Sequence, residues 1–283
     1  MTTFTMILNS SNVVPNSNNT QFRYNFINGA FRIEEGATMC ISNIVMPYAW
    51  FNISKFYGNN TFSFTFPDTA SATTTYNVVI PDGFYTTADM NNFLEQFCIA
   101  NSLYLINATG AYVYYIVFAL NTNAYANQVL FLVVPSSLPA GFTAPVGFHG
   151  FPAVATATSL TISPTTGISN FGVFLGFSAG TYGGGVTASS VLSNITPIGT
   201  LVNAITVRSN IVNNNVAMPS DIITSIPINT TFGSNINYTP AFEQFVNIKG
   251  GVYNNIIITF TDENFNTIFS RDPNIVITVI IKK

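Results

Sequence analysis

Charged side chains are so scarce in this chain that they limit how it can exist in water. Asp, Glu, Lys and Arg make up 7% of its 283 residues, and hydrophobic residues make up 48%. In ordinary soluble domains about a quarter of the residues are charged. A monomer with so few charges has little protection against association at its surface. The composition therefore indicates a protein whose surface is largely covered by other subunits.

The charge and the apolar runs of the sequence argue against binding to nucleic acid and against a membrane-spanning helix. The formal net charge is −3, and the four arginines (Arg23, Arg32, Arg208 and Arg271) are scattered, so we expect no nucleic-acid binding. The longest apolar runs, Tyr112–Leu120 and Val129–Val134, are too short for a membrane-spanning helix. The first residues lack the pattern of a signal peptide, so we do not expect secretion through one.

Cys40 and Cys98 are the only cysteines in the sequence. Without a secretory signal we expect buried thiols rather than a disulfide. Triplets of the form Asn-x-Ser/Thr, such as Asn107-Ala108-Thr109, would be glycosylation acceptors in a secreted protein. In a chain this rich in Asn and Thr they are expected to arise by chance.

Short β-type segments separated by Gly, Pro and Asn dominate the sequence. Residues Thr61–Phe66 alternate polar and aromatic side chains, which predicts a half-buried strand with its phenylalanines on one face. The segment Ile275–Ile281 is almost continuously apolar, so we expect it to be covered on both faces and to end in solvent at Lys282 and Lys283. Further strands are predicted at Thr38–Val45, Tyr76–Ile80, Leu103–Asn107, Tyr112–Leu120, Val129–Val134, Ala204–Val207 and Ile256–Thr261.

One helix is predicted after the turn formed by Pro81, Asp82 and Gly83. Thr86 or Thr87 would cap this helix, and Asp89 stands three residues after Thr86, as in a variant of the capping box. The next apolar residues follow a helical spacing and predict one stripe packed on a sheet; they are Met90, Phe93, Leu94 and Phe97.

Regularly spaced strands with a single helix predict an all-β sandwich, either a jelly roll or an immunoglobulin-like fold. The immunoglobulin-like option is weaker, because Trp50 and the two cysteines lack the order Cys–Trp–Cys. We therefore predict a jelly-roll sandwich with one short helix and long loops or an inserted subdomain. A single jelly-roll domain would span residues 1–283, with a loop-rich insertion around 136–185, where Pro and Gly are frequent and charged residues are absent.

The inventory of reactive residues offers little for catalysis or metal binding. His149 is the only histidine and sits in an apolar turn, and no serine or cysteine is identified as its partner. Asp262, Glu263 and nearby Asp272 suggest either a calcium loop or a hairpin turn, and we favour the turn. The run Gly183–Gly185 has no lysine and fits a flexible bend. Paired carboxylates for glycoside hydrolysis stay open, but we expect neither an enzyme, nor a cofactor, nor a bound metal.

Three stretches carry a family likeness through their order and spacing. The first is Ile44–Ser54 followed by Tyr76–Thr86, and the second is Phe174–Tyr182 leading to Ile205–Asn214. The third is the tail, with Tyr253–Asp262 and Asp272–Val279. In that order they resemble the penton (minor capsid) proteins of virophages, polinton-like viruses and related large DNA viruses.

The resemblance implies a single jelly roll that forms homopentamers at the fivefold vertices of an icosahedral particle. Its neighbours there would be capsomers of a double jelly-roll major capsid protein, and a vertex fibre or a receptor is a further partner left open. The positions that carry the likeness, with a structural or an interface role, are Pro47, Trp50, Asn52, Pro81, Asp82, Gly83, Gly176, Asn213, Asp262 and Asp272. Trp50 and Phe51 would either fill the sandwich or contact a neighbouring subunit.

An alternative function is a carbohydrate- or receptor-binding module of the virion surface with the same fold. Exposed aromatic residues would then stack on sugars, and the candidates are Tyr112, Tyr114, Tyr115 and Tyr182. A hydrolase built on a β-sandwich, using His149 and carboxylates, is a third and weaker hypothesis.

Overall fold

A computed structural model describes residues 2–27, 29–69 and 72–283. The chain divides into two compact units. The first unit consists of residues 1–50 and 202–283, and the second unit consists of residues 51–201. The second unit is therefore an insertion within the chain of the first.

The strands of residues 1–50 are β1 (Thr3–Leu8), β2 (Gln21–Asn25), β3 (Phe31–Ile33) and β4 (Thr38–Pro47), with a 3-10 turn at Ser10–Asn12. The second unit contains β5 (Thr61–Thr69), β6 (Ala72–Val79), α1 (Thr87–Ala100), β7 (Tyr104–Ile106), β8 (Tyr112–Tyr114), β9 (Ile116–Asn121), β10 (Ala126–Phe131), β11 (Val133–Val134), β12 (Thr156–Ala157), β13 (Ser159–Ile162), α2 (Phe171–Leu175), β14 (Gly180–Gly183) and β15 (Ser189–Leu192). The returning chain forms β16 (Ala204–Ser209), β17 (Ile222–Pro227), β18 (Asn235–Tyr238), β19 (Val246–Asn247), β20 (Gly251–Tyr253), β21 (Asn255–Thr261) and β22 (Val276–Lys282).

The first unit is a jelly roll. One sheet has the strand order β1-β22-β4-β18, and the other has the order β17-β16-β21-β2. All of these pairs are antiparallel. The earliest strand thus lies beside the latest, and β2 lies beside β21, as in a ribbon of antiparallel pairs rolled into two sheets. The predicted all-β jelly-roll sandwich is confirmed.

Every second side chain along the strands points inward, and these apolar side chains fill the core of the jelly roll. On β22 the inward side chains of Ile277, Val279 and Ile281 are buried, whereas Val276 on the other face is 40% exposed. The prediction that this apolar strand is covered on both faces is therefore wrong for the isolated chain. Lys282 does not end free in solvent either, because its Nζ lies 2.9 Å from Glu243 Oε2 and 4.0 Å from the centre of the Phe245 ring.

The second unit has its own core between a four-stranded sheet, β14-β13-β5-β6, and a three-stranded sheet, β15-β10-β9. The predicted alternation of Thr61–Phe66 is confirmed, since Phe62, Phe64 and Phe66 are all buried in this core. The Phe62 ring stacks on Phe171 of α2 at 4.5 Å. Aromatic packing of this kind adds to the stabilisation that burial provides.

Helix α1 begins where the sequence predicts. Thr86 is the N-cap, its hydroxyl accepts a hydrogen bond from the Asp89 N–H at 3.1 Å, and Asp89 Oδ2 accepts one from the Thr86 N–H at 2.9 Å. Met90 and Leu94 are buried, while Phe93 and Phe97 are half-buried against the core of the second unit. The predicted apolar stripe is thus confirmed.

A second helix, α2, was not predicted. Asn170 caps it by accepting a hydrogen bond from the Val173 N–H at 3.0 Å, and Gly176 ends it with a φ of +87°. Residues 136–185, expected to be loop-rich, lie inside the second unit and include β12, β13, β14 and α2. The description of the whole chain as a single capsid domain stays a prediction.

Both cysteines are free and buried, as expected from the sequence. Burial raises the pKa of the Cys98 thiol to about 12, so this thiol stays protonated and unreactive at neutral pH. Neither α-helix in the described residues has the length and apolarity needed to cross a membrane.

Candidate functional site

His149 has a backbone carbonyl and a tyrosine hydroxyl as its hydrogen-bond partners. Its Nε2 lies 3.2 Å from the carbonyl oxygen of Asn101 and 3.5 Å from the hydroxyl of Tyr76, and the ring is exposed. Within the described parts of the chain, no three His, Cys, Asp or Glu residues come together in a way that would hold a metal ion. The expectation that the chain is not an enzyme stays a prediction.

Asp262 and Asp272 use their carboxylates to build turns. Asp262 is 6% exposed, and its Oδ1 accepts hydrogen bonds from the N–H groups of Asn264 at 2.9 Å and Asn266 at 2.7 Å. Asp272 Oδ1 accepts one from the Asn274 N–H at 2.8 Å. The favoured hairpin turn at Asp262 is thus present, but its carboxylate is buried rather than solvated.

The two segments of the first stretch that carries the likeness, Ile44–Ser54 and Tyr76–Thr86, meet at Asn52. This side chain is 3% exposed, and its Oδ1 accepts a hydrogen bond from the Tyr85 N–H at 2.8 Å. Its Nδ2 donates to the carbonyl oxygens of Tyr85 and Gly199, both at 2.7 Å. The Asn52 carbonyl in turn accepts from Asn59 Nδ2 at 2.7 Å. One buried amide therefore joins the beginning of the second unit, the segment before α1 and the end of the unit.

The turn at residues 81–83 completes this contact. Gly83 and Ile53 exchange backbone hydrogen bonds of 2.9 and 3.1 Å, and Asp82 Oδ1 accepts from the Lys55 N–H at 2.8 Å. The Pro81 carbonyl accepts from the Tyr85 hydroxyl at 2.9 Å. A Cβ on residue 83 would lie 2.7 Å from the Tyr85 ring, so a larger residue there would displace this ring.

The remaining predicted positions lie elsewhere and are not brought together. Pro47 ends β4 opposite Asn235, and Trp50 is buried with its ring 4.5 Å from that of Tyr48. The Asn213 N–H donates to the Asn247 carbonyl at 2.8 Å. Burial favours the interpretation that Trp50 fills the interior. An interface role for any of these positions stays a prediction.

The surface of the second unit is nearly free of charge. Residues 51–201 contain only Lys55, Asp68, Asp82, Asp89 and Glu95 as charged residues, and residues 96–207 contain none. The outer face of the four-stranded sheet carries mostly hydroxyl and amide groups instead, namely Thr61, Ser63, Thr65, Thr73, Thr75, Asn77, Ser159, Thr161 and Thr181. The same face also carries the exposed Val79. The sequence analysis interpreted only the phenylalanines of β5 and overlooked this polar face. The same alternation predicts it, because the residues between the phenylalanines point to the opposite face.

The tyrosines proposed for sugar stacking do not share one environment. Tyr115 is 5% exposed, so its ring is withdrawn from solvent, whereas Tyr112 is 47% exposed and lies 4.5 Å from the Tyr104 ring. The Tyr182 hydroxyl donates to the Ser178 carbonyl at 2.9 Å. These four rings therefore do not form one exposed platform, which the alternative hypothesis of a sugar-binding module requires.

The structure of the chain is similar to that of the mavirus penton protein, with 10% identity, a TM-score of 0.44 and coverage of 99% of this chain and 97% of that chain. It is also similar to a chain in the structure of the Sputnik virophage, with 10% identity, a TM-score of 0.38 and the same coverage. No protein-family model matches the chain, and no curated protein matches its sequence. The predicted resemblance to virophage penton proteins is confirmed as a resemblance, but at these TM-scores neither likeness assigns a function.

Proposed function

We propose that this chain is a structural capsid protein that forms homopentamers at the vertices of an icosahedral virus particle, where it contacts a double jelly-roll major capsid protein. The observation that carries the proposal is the scarcity of charge on the surface of residues 51–201, a segment inserted into the chain of a jelly roll. Fold alone does not decide function, so the argument depends on the chemistry of that surface.

A closed ring of identical subunits uses two different surfaces on each copy, and each surface meets its complement on the next copy. Permanent interfaces are large and depleted in charge. The Thr, Ser and Asn side chains on the outer face of the four-stranded sheet satisfy hydrogen bonds without the desolvation cost of ions. A chain with this surface is therefore suited to burial against its own copies.

The proposal is tested by measuring the mass of the purified full chain in solution. Native mass spectrometry and light scattering after gel filtration are expected to give five times the chain mass of 30.7 kDa. Negative-stain images are expected to show five-membered rings. A chain that stays monomeric at high concentration contradicts the proposal, and a stable dimer or trimer contradicts the vertex position.

A further inference from the structure

Strand β6 is a free edge of the four-stranded sheet in the second unit. It pairs with β5 on one side, and no strand in the described part of the chain pairs with its other side. Residues 72–79 include no proline and no charged residue. Natural edge strands usually carry charge, proline or a bulge, because an open edge is a template for another strand.

The backbone groups of this open edge can be located from the ladder. One residue beyond β6, the Ile80 N–H donates to the Asn60 carbonyl at 2.8 Å. In an antiparallel ladder, residues alternate between bonding the partner strand and facing away from it. Since Ile80 bonds to the β5 side, the residues at odd positions before it direct their N–H and C=O groups to the open edge. These residues are Thr73, Thr75, Asn77 and Val79. These four side chains are exposed.

Strand β1 of the first unit is a second open edge, because among the described strands it pairs with β22 alone. It has no charged residue, and beside it the Lys283 N–H donates to the Thr2 carbonyl at 3.1 Å. The same alternation directs the backbone groups of Thr3, Thr5 and Ile7 away from β22.

Other sheet edges are already covered. On β9 the Phe118 N–H donates to Asn91 Oδ1 at 2.9 Å, and on β2 the Gln21 carbonyl accepts from the Val14 N–H at 2.9 Å. Strand β14 is short and contains two of the chain's glycines, Gly180 and Gly183. Edge strands β15 and β18 have four residues each, and β17 carries Pro227. Among the described strands, the open edges of six or more residues with neither charge nor proline are therefore β1 and β6.

We infer that β6 of one copy pairs with β1 of the next copy, so that a continuous sheet crosses the subunit boundary. Neither edge has a charge that would attract an oppositely charged partner, whereas each offers unpaired backbone groups at every second residue. One chain therefore supplies both halves of the contact. Unlike halves form a heterologous interface, which is the kind that closes into a ring. This inference rests on the proposed self-assembly and names the strands that carry it.

Proline at an outward-facing position removes the donor of the open edge and leaves the ladder inside the sheet intact. We expect T75P on β6 and T5P on β1 each to weaken assembly about tenfold or more, because each loses an interface hydrogen bond and its geometry. The matched controls T75V and T5V keep the N–H group and are expected to assemble as the unchanged chain does. Rings that tolerate either proline, or that are lost in either valine variant, overturn the pairing.

Hydrogen exchange of the unchanged chain gives a test that does not depend on a variant folding. Peptides covering residues 72–80 and 2–9 are expected to exchange more slowly in the assembled form than after dissociation by dilution. Rings in which these peptides exchange as fast as in the monomer overturn the inference and leave the proposed function standing. A chain that never assembles overturns both.

Discussion

The side-chain amide of Asn52 donates a hydrogen bond of 2.7 Å to the carbonyl of Gly199, although the two residues are 147 positions apart in the chain. These residues lie at the two ends of the second unit, which spans residues 51–201. Because the same Nδ2 also donates to Tyr85 and the same side chain accepts from the Tyr85 N–H, a single residue holds both ends of the unit and the segment before α1 together.

Replacing Asn52 by alanine is expected to destabilise the second unit. N52A leaves the carbonyls of Gly199 and Tyr85 and the N–H of Tyr85 without their partner, and a buried polar group that loses its partner costs about 1–3 kcal/mol. We expect a net loss of about 2–4 kcal/mol, measured by urea unfolding. N123A, in an exposed turn, is the control and is expected to change stability little. Equal effects of the two substitutions would contradict this role for Asn52.

Gly176 is expected to be required for two separable reasons. Its φ is +87°, and an added Cβ would lie 2.7 Å from Ser193 Cβ and 2.9 Å from the Ile195 carbonyl. Gly185 has nearly the same φ, +86°, but open space around it. G185A should therefore cost about 1 kcal/mol from the left-handed backbone alone, and G176A about 2–4 kcal/mol because the clash is added. Thermal unfolding of the two variants measures the difference, and similar losses would show that the packing around Gly176 relaxes.

Glu263 is expected to make the jelly roll less stable in acid. Burial raises its pKa, but hydrogen bonds from the Asn203 side chain and from the N–H groups of Asn203 and Ala204 lower the pKa below its usual value on balance. The Asn203 Nδ2 donates to Oε1 at 2.8 Å. Because the pKa is lower in the folded state, the stabilisation is present above the unfolded value of about 4.3 and is lost as the pH falls through the folded value.

The measurement for Glu263 is the urea midpoint from neutral pH down to about pH 3. E263Q keeps an acceptor oxygen but does not titrate, so its stability should fall less steeply below about pH 5 than that of the unchanged chain. E35Q, at an exposed glutamate outside this turn, serves as the control and should follow the unchanged chain. Parallel curves for all three proteins would show that the Glu263 contacts do not contribute to acid sensitivity.

Assembly of the chain is expected to depend little on ionic strength. The strands proposed to pair, β1 and β6, contain no charged residue, and residues 96–207 contain none either, so interfaces formed by these parts of the chain have no ion pairs to screen. Raising NaCl from about 0.1 M to about 1 M shortens the screening length from about 10 Å to about 3 Å. Sedimentation equilibrium should give nearly the same fraction of rings at both NaCl concentrations. Rings that dissociate at high salt would indicate that charges of the first unit hold the subunits together.

Local patterns in the sequence predict local structure well in this chain. The capping residues Thr86 and Asp89 place the start of α1 correctly, and the alternation of Thr61–Phe66 gives the start and the buried face of β5. The turn at Pro81–Gly83 was also expected. In each case the interactions that form the element lie within a few residues of one another, so the signal is contained in the segment itself.

Elements that depend on distant contacts were predicted less well. Tyr112–Leu120 was expected as one strand, but it divides at Tyr115, whose carbonyl accepts hydrogen bonds from the Leu132 N–H at 2.8 Å and the Thr158 hydroxyl at 2.7 Å. The contact between Asn52 and Gly199 has no local pattern either. The extent of the second unit could not be predicted from the sequence either. Its ends are defined by the contacts that residues 202–283 make with residues 1–50, and these contacts are distant in sequence.

The pairing of β1 with β22 has a practical consequence for joining other molecules to this protein. Thr2 and Lys283 are linked by a backbone hydrogen bond of 3.1 Å, so both extremities of the described chain emerge side by side from one sheet. A fluorescent label or affinity tag fused to either extremity would project from the same spot. A short peptide bridge between the two would give a circular permutant, with new termini opened in a surface loop.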